Sequence, residues 1–151
     1  MKFLSQTDPH WANVTLGKTR FKISKYGCTT TCISMLSDYF QCYQPPDAIA
    51  KEYVQYNMDG EIFWDTLTLS HMMWEPGLRL KQRDDKSIIV SLKDPNKAVI
   101  LNVNNGAHWV TALSKDIFSN DYWCVDPYDG KKKLAAKTYR NIVGSSHFKA
   151  K

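Results

Sequence analysis

Tyr26-Gly27-Cys28-Thr29-Thr30-Thr31-Cys32-Ile33-Ser34-Met35-Leu36 is the stretch on which the reading of this chain turns. A glycine stands directly before a cysteine. Apolar or weakly polar side chains then recur at Cys32, Met35, Leu36, Tyr39 and Phe40, close to helical spacing. The pattern predicts an amphipathic helix from about Cys28 to Phe40. A thiol in its first turn lies at the positive end of the helix. Free backbone N–H groups and the macrodipole there favour thiolate over thiol. Two readings of Cys28 are open: a nucleophile that needs a base elsewhere in the chain, or one more small buried residue, the usual fate of a cysteine. Thr29-Thr30-Thr31 is more β-branched than a helix start prefers. Either the hydroxyls cap locally, or the helix starts late and leaves the thiol away from the dipole.

The length of 151 residues suits one domain, 1–151, with a real core, and leaves no room for two. Hydrophobic content of 43% and charged content of 23% are those of an ordinary soluble protein. Five Trp residues are many for this length; Trp11, Trp64 and Trp109 are candidates for a cleft wall, with core packing the plainer role for each. A net charge of +5 favours anionic partners such as nucleic acid, acidic peptides or a teichoic-acid-bearing cell wall. The basic residues are scattered apart from Lys131-Lys132-Lys133, with no Arg-rich arm or aromatic–basic ladder, so specific nucleic-acid binding is not expected. No long apolar stretch opens the chain and no run approaches the roughly 18 apolar residues of a membrane helix. The cytoplasm of the producing cell is the expected location; a protein released by lysis or carried in a particle would look the same. Four cysteines, Cys28, Cys32, Cys42 and Cys124, do not make a disulfide framework. Cys28 and Cys32 lack a second close-spaced ligand pair, so neither a metal nor another cofactor is expected.

Taken in order, Gln6 to Trp11 is a polar lead-in and Leu16 to Lys25 a loop with room for a short hairpin. After the helix at Cys28, Gln44-Pro45-Pro46-Asp47 is a break, with Asp47 as cap of a second helix bearing Ile49, Tyr53 and Val54. Ile62, Phe63, Leu67 and Ser70-His71 predict a third helix ending before Pro76-Gly77. Leu78 to Gln82 is read as a strand, and Ser87 to Lys93 as a helix capped by Asp85 or Ser87. Ala98-Val99-Ile100-Leu101-Asn102-Val103 is a strand by its β-branched, apolar content. Asn104-Asn105-Gly106 is turn chemistry. His108 to Leu113 and Asp121 to Val125 are further strands. A short helix around Lys137–Ile142 and a strand near Ser146–Lys149 close the chain. Helices first and an antiparallel meander after them make an α+β pattern with segregated layers.

A cysteine nucleophile needs a base, a group to orient that base, and donors for the oxyanion. His108 opens a strand directly after a glycine-containing turn, where a side chain can stand at the rim of a sheet. His10, His71 and His147 have poorer contexts: a polar segment, a predicted helix and a terminal strand. Asp126 ends the neighbouring strand, placed to accept from the His108 ring and fix its tautomer. Asp-Pro at a strand end is also a common plain turn. Gln6 carries an amide able to donate to an oxyanion. Cys32, one turn after Cys28, reads as a small core residue rather than a resolving thiol, and Cys124 as a buried strand residue.

The run Gln6…Asp8…Trp11-Ala12, Gly27-Cys28, Gly106-Ala107-His108-Trp109-Val110 and Val125-Asp126-Pro127 resembles the C39-like branch of the papain-like cysteine peptidases, over roughly Gln6 to Gly130. The order Gln, Cys, His, Asp is the papain-type order. The presumed helix at Glu61-Ile62-Phe63-Trp64 and the strand at Ala98-Val99-Ile100 also sit where such relatives carry similar elements. The resemblance implies a papain-like fold with N-terminal helices on a C-terminal antiparallel sheet, and these roles: Cys28 as nucleophile, His108 as base and then acid, Asp126 as its orienter, and Gln6 with the Cys28 N–H as oxyanion hole. About twenty residues separate Gln6 from Cys28, unlike the bacteriocin-processing members, so a double-glycine leader peptide is a poorly matched substrate. No transporter domains accompany the motif.

The function expected is that of a cysteine endopeptidase or amidase acting through Cys28, His108, Asp126 and Gln6, without a cofactor. Its substrate is a polypeptide or the peptide part of peptidoglycan, the latter as in small phage lysins. Two alternatives stand beside it: an acyltransferase with the same residue order, and a non-catalytic binding protein that keeps the fold.

Overall fold

The computed structural model describes residues 1–151. In chain order the elements are α1 (Ile23–Tyr26), α2 (Cys28–Tyr39), α3 (Pro46–Ala48), which runs on as a π-turn over Ile49–Tyr53, β1 (Gln55–Tyr56), β2 (Ile62–Phe63), β3 (Met72–Leu80), α4 (Asp85–Lys93), β4 (Lys97–Val103), β5 (His108–Lys115), β6 (Tyr122–Asp126), β7 (Lys131–Leu134), α5 (Ala135–Tyr139) and β8 (Ile142–Ala150). The architecture is α+β: a six-stranded antiparallel sheet of order β3-β8-β4-β5-β6-β7, with a few helices and a separate two-stranded ribbon, β1-β2. No helix is long and apolar enough to cross a membrane.

The α2 helix starts at Cys28, so the three threonines do not delay it. Its residues Thr30 to Ser37 are all buried, and the expected amphipathic stripe is a nearly enclosed rod. Polar groups inside it are matched locally. Ser34 Oγ donates to Gln44 O at 2.6 Å, Ser37 Oγ to Ser34 O at 2.6 Å, and Gln44 N–H to Ser37 Oγ at 3.0 Å. Paired in this way, the two serines sit inside without the penalty of an unsatisfied hydroxyl.

The sheet is covered on both faces. Ala98 and Ile100 of β4 join Ile33, Leu36 and Phe148 in one cluster under α2, whereas Val99, Leu101 and Val103 join Ile88 of α4 and Ala135 of α5 in another. This double cover is why β4 reads as an uninterrupted apolar run rather than an alternation. Of the expected N-terminal helices α2 packs on one face, while α4 and α5, later in the chain, take the far side.

Three local expectations are overturned. No helix spans Ile62 to His71: Ile62 and Phe63 pair with Tyr56 and Gln55, a single 3₁₀ turn follows over Trp64–Thr66, and β3 begins at Met72. Trp64 lies 6.3 Å from Trp74 and 5.4 Å from Trp109, ring to ring, and this aromatic packing holds the segment extended. Pro76-Gly77 ends no helix. It lies inside β3, where the register slips between Trp74 and Arg79 and Gly77 takes a φ of +84°, a bulge that tolerates proline. At the remaining helix starts the caps differ too. Asp84 caps α4, accepting from the Ser87 N–H at 3.1 Å, rather than Asp85 or Ser87. Pro45 precedes α3, with Asp47 inside its first turn.

The glycine before Cys28 has a steric cause. A Cβ on Gly27 would stand 2.6 Å from Ile23 O and 2.7 Å from Ile23 Cγ2, because α1 folds tightly against the start of α2. The expected outcome of Gly27→Ala is a stability loss of about 1–3 kcal/mol from overpacking, read in urea unfolding, together with slower alkylation of the displaced Cys28.

Candidate active site

Strand register brings His108 and Asp126 together. Thr111 stands opposite Val125 across β5 and β6. Following that register, Val110 faces Asp126, and His108 lies one diagonal step away on the same face. His108 Nε2 is 2.8 Å from Asp126 Oδ1. An ionised carboxylate only accepts, so Nε2 carries the proton and Nδ1 is the ring nitrogen left for another partner. The Cys28 thiol and the His108 ring lie close enough to shift each other's titration, and the Trp109 backbone and Thr29 side chain act on the thiol as well.

The electrostatics favour the ion pair. Burial opposes ionisation of Cys28, but the hydrogen bond and charge of His108 outweigh it and bring the thiol below its ordinary value. Burial likewise disfavours the imidazolium, yet hydrogen bonds to Asp126 and Cys28 raise His108 to about 9. Burial would raise Asp126 as well. Its hydrogen bonds from His108, Lys133, Tyr139 and the Tyr128 N–H instead hold it far below the usual carboxylate range. The other buried thiols go the opposite way: burial pushes Cys32 well up and Cys124 to about 12. Cys32 Sγ donates to Trp109 O at 3.6 Å within the core, in keeping with its reading as a core residue.

Gln6 is close by but not in the hydrogen-bonded chain. Its backbone N–H donates to Pro127 O at 2.6 Å and its Nε2 to Ser24 O at 3.0 Å, so it bridges the segment after Asp126 to α1, which delivers Cys28. A primary amide has two N–H donors, and only one is used. Gln6 Oε1 is buried without a partner. No hydrogen bond joins Gln6 to Cys28, His108 or Asp126. Of the other histidines, His10 pairs with Asp8 at 2.7 Å. His71 sits in a bend beside Gln41 O rather than on a helix. His147 is buried between Ser91 and Ser145 at 2.7 and 2.9 Å.

Four residues complete the site without having been singled out in the sequence. Asp126 Oδ2 accepts from Lys133 Nζ at 2.8 Å and from Tyr139 OH. The Tyr139 ring also lies 4.9 Å from the His108 ring. Asn102, buried in β4, donates through Nδ2 to Gly106 O at 3.1 Å and His108 O at 3.0 Å. Asn104, Asn105 and Gly106 all have positive φ, at 53°, 54° and 96°. Asn141 holds this left-handed run, accepting from Asn105 N–H at 2.9 Å and donating to Asn105 Oδ1 at 2.6 Å. His108 is therefore launched from a clamped turn. A signal for Lys133 was present: on a strand, Lys131 and Lys133 share a face, and Lys131 is opposite Asp126. Tyr139 had none, because α5 folds back over β6 from a distance.

Beside Cys28 opens a cleft of about 540 Å³, lined among others by Tyr56, Ile62, Trp64, Arg79 and Trp109. Trp11 does not line it; its Nε1 donates to Ser5 O at 2.8 Å. No family model, curated protein or solved structure matches the chain.

Proposed function

We propose that this protein is a cysteine peptidase or amidase of the C39-like, papain-like kind, cutting a peptide bond through Cys28, His108 and Asp126. The observation that carries the reading is the His108–Asp126 hydrogen bond beside a thiol that His108 brings below its ordinary value, at the start of a twelve-residue helix facing an open cleft. The thiolate attacks the substrate carbonyl carbon, and the new C–S bond turns the carbonyl oxygen into an oxyanion. The Cys28 N–H, with no acceptor within the helix, and the free N–H of Gln6 are the donors assigned to it. His108 passes its Nδ1 proton to the amine nitrogen, the C–N bond breaks, and a thioester remains. Water, deprotonated by His108, then attacks the thioester and releases the acid and the Cys28 thiolate. Asp126 keeps the imidazole oriented and offsets its charge.

Two assays test this reading: casein hydrolysis for polypeptides, and zymography on cell walls for the peptidoglycan version. Acyl-donor turnover without cleavage would transfer the assignment to acyl transfer, and a Cys28 that resists iodoacetamide near neutral pH would favour a binding protein. The pH profile follows from the two shifts. Alkylation of Cys28 is expected to stay fast at pH values where an ordinary thiol is protonated, and His108→Ala should move that titration upward. Hydrolysis needs the imidazolium to protonate the leaving amine, so kcat/KM is expected to fall as pH rises through about 9. A thiol titrating at its ordinary value in the wild-type protein would count against the pair.

A further inference from the structure

Arg79 is held in the cleft in an unusual state. The bulge at Pro76-Gly77 turns β3 so that Arg79 faces Ser146 of β8. Its guanidinium lies 4.8 Å from the centre of the Trp109 ring, the residue next to His108. Gly144 leaves the room for it: a Cβ there would come 3.0 Å from Arg79 Nη1 and 2.4 Å from Leu80 O. One guanidinium N–H donates to Leu80 O at 2.6 Å, while a guanidinium has five. The remaining donors have no protein acceptor. Lys81 lines the same cleft, and neither cation belongs to an ion pair; those of the protein lie elsewhere, as at Lys97–Glu75 and Lys133–Asp126. Glu61, the acidic side chain of the cleft, is bound on its own loop, with Oε2 at 3.5 Å from Asn57 Nδ2. Burial lowers the Arg79 pKa from its ordinary value, a sign that water is partly stripped from a charge the protein does not neutralise.

We propose that Arg79, with Lys81 beside it, is a subsite for a carboxylate of the peptide substrate, next to the bond that Cys28 attacks. The assignment rests on the reading of Cys28 as a peptidase nucleophile. A planar guanidinium with parallel free N–H donors matches a carboxylate two-to-two, and its stacking on Trp109 fixes the plane of that fork. Such a carboxylate has two sources in a peptide, an acidic side chain or a free chain terminus. A guanidinium that served only to pack on Trp109 would treat charged and neutral peptides alike.

The test uses hexapeptide-length vinyl sulfones with the warhead placed internally, and measures the rate of Cys28 modification by mass spectrometry. One arm carries Glu or its isostere Gln at each position in turn; a second compares free and amidated C-termini. The expected result is a rate at least tenfold higher for the anionic member of the pair at one position, collapsing to a ratio near one in Arg79→Gln. The ratio should partly return in Arg79→Lys and be weakened in Lys81→Gln. Equal rates at every position and terminus, or a preference that survives in the Arg79→Gln/Lys81→Gln double variant, would overturn the subsite. Iodoacetamide serves as the control that separates the two claims. If it alkylates Cys28 while no anionic preference exists, only the subsite fails; if it does not alkylate Cys28, the nucleophile and the subsite fall together.

Discussion

Replacing Cys28 by alanine is expected to cut peptide turnover by at least about ten-thousandfold, to the background of the assay, with the fold intact. Nothing else in the site can supply an acidified nucleophile: Cys32 and Cys124 are buried thiols pushed upward, and neither borders the cleft. His108→Ala should be as severe, because it removes the group that both acidifies the thiol and protonates the leaving amine. The double variant should be no slower than either single one, since residues that act as a unit are not additive. Steady-state kinetics on one peptide, with circular dichroism to verify folding, measure this. Turnover near wild type in Cys28→Ala would end the case for the mechanism.

Asp126→Ala is expected to have the largest effect on stability and a smaller one on rate. Its side chain is 0% exposed and accepts from His108, Tyr128, Lys133 and Tyr139. Removing it leaves the Tyr139 hydroxyl and the Tyr128 N–H without their acceptor, while Lys133 keeps its pair with Asp129 at 2.9 Å, a loss of about 2–4 kcal/mol for unsatisfied buried donors and the cavity. An orienting group contributes less to the chemical step than a nucleophile does, so a rate reduced by roughly a hundred- to ten-thousandfold should remain measurable. The linkage to pH has a defined sign on each side. The Asp126 carboxyl is depressed in the folded protein, so its stabilisation is complete above its unfolded value and is lost as pH falls below it. His108 is raised to about 9, so its contribution is complete below its unfolded value of 6.5 and is lost as pH climbs through about 9. Urea midpoints against pH should show both limbs in the wild-type protein and flattened limbs in Asp126→Asn. An unchanged midpoint profile in that variant would remove Asp126 from the centre of the network.

The positions of Cys28, His108 and Asp126 at element ends were legible in the chain because each sits where local rules govern. Gly27-Cys28 marks a helix start, Asn104-Asn105-Gly106 marks a left-handed turn before His108, and Asp126 ends an apolar strand. What was hidden depends on distant partners. Ile62, Phe63 and Leu67 have helical spacing, but the packing of Trp64 face-on to Trp74 and edge-on to Trp109 decides their conformation. The start of β8 escaped notice because Gly144 and Ser145 look like loop chemistry beside the strand residues Ser146 and His147. They are buried because Ser91 and Ser145 satisfy the two ring nitrogens of His147, and Trp74 donates to Ser146 Oγ at 3.0 Å. Lys131-Lys132-Lys133 stood out only as a cluster of charge, and Lys133 meets the Asp126 carboxylate only once β7 lies against β6. The strand at β4 needed no partner to be seen, being set by β-branched content, and the helix α4 was read with its end at Lys93 but its start two residues late, because Asp84 is the cap.

The place of β8 between β3 and β4 bears on how the molecule comes into being. Ile142–Ala150 follows every other element in the chain, yet β3 reaches the rest of the sheet only through it. The β4–β7 hairpins can pair without it, while the strand carrying Arg79 docks only once β8 lies between its neighbours. Closing such sequence-distant pairs costs loop entropy before contacts repay it, which slows folding. The wall of the cleft that carries Arg79 is thus completed only by the docking of β8, and until then Cys28 faces an unfinished cleft.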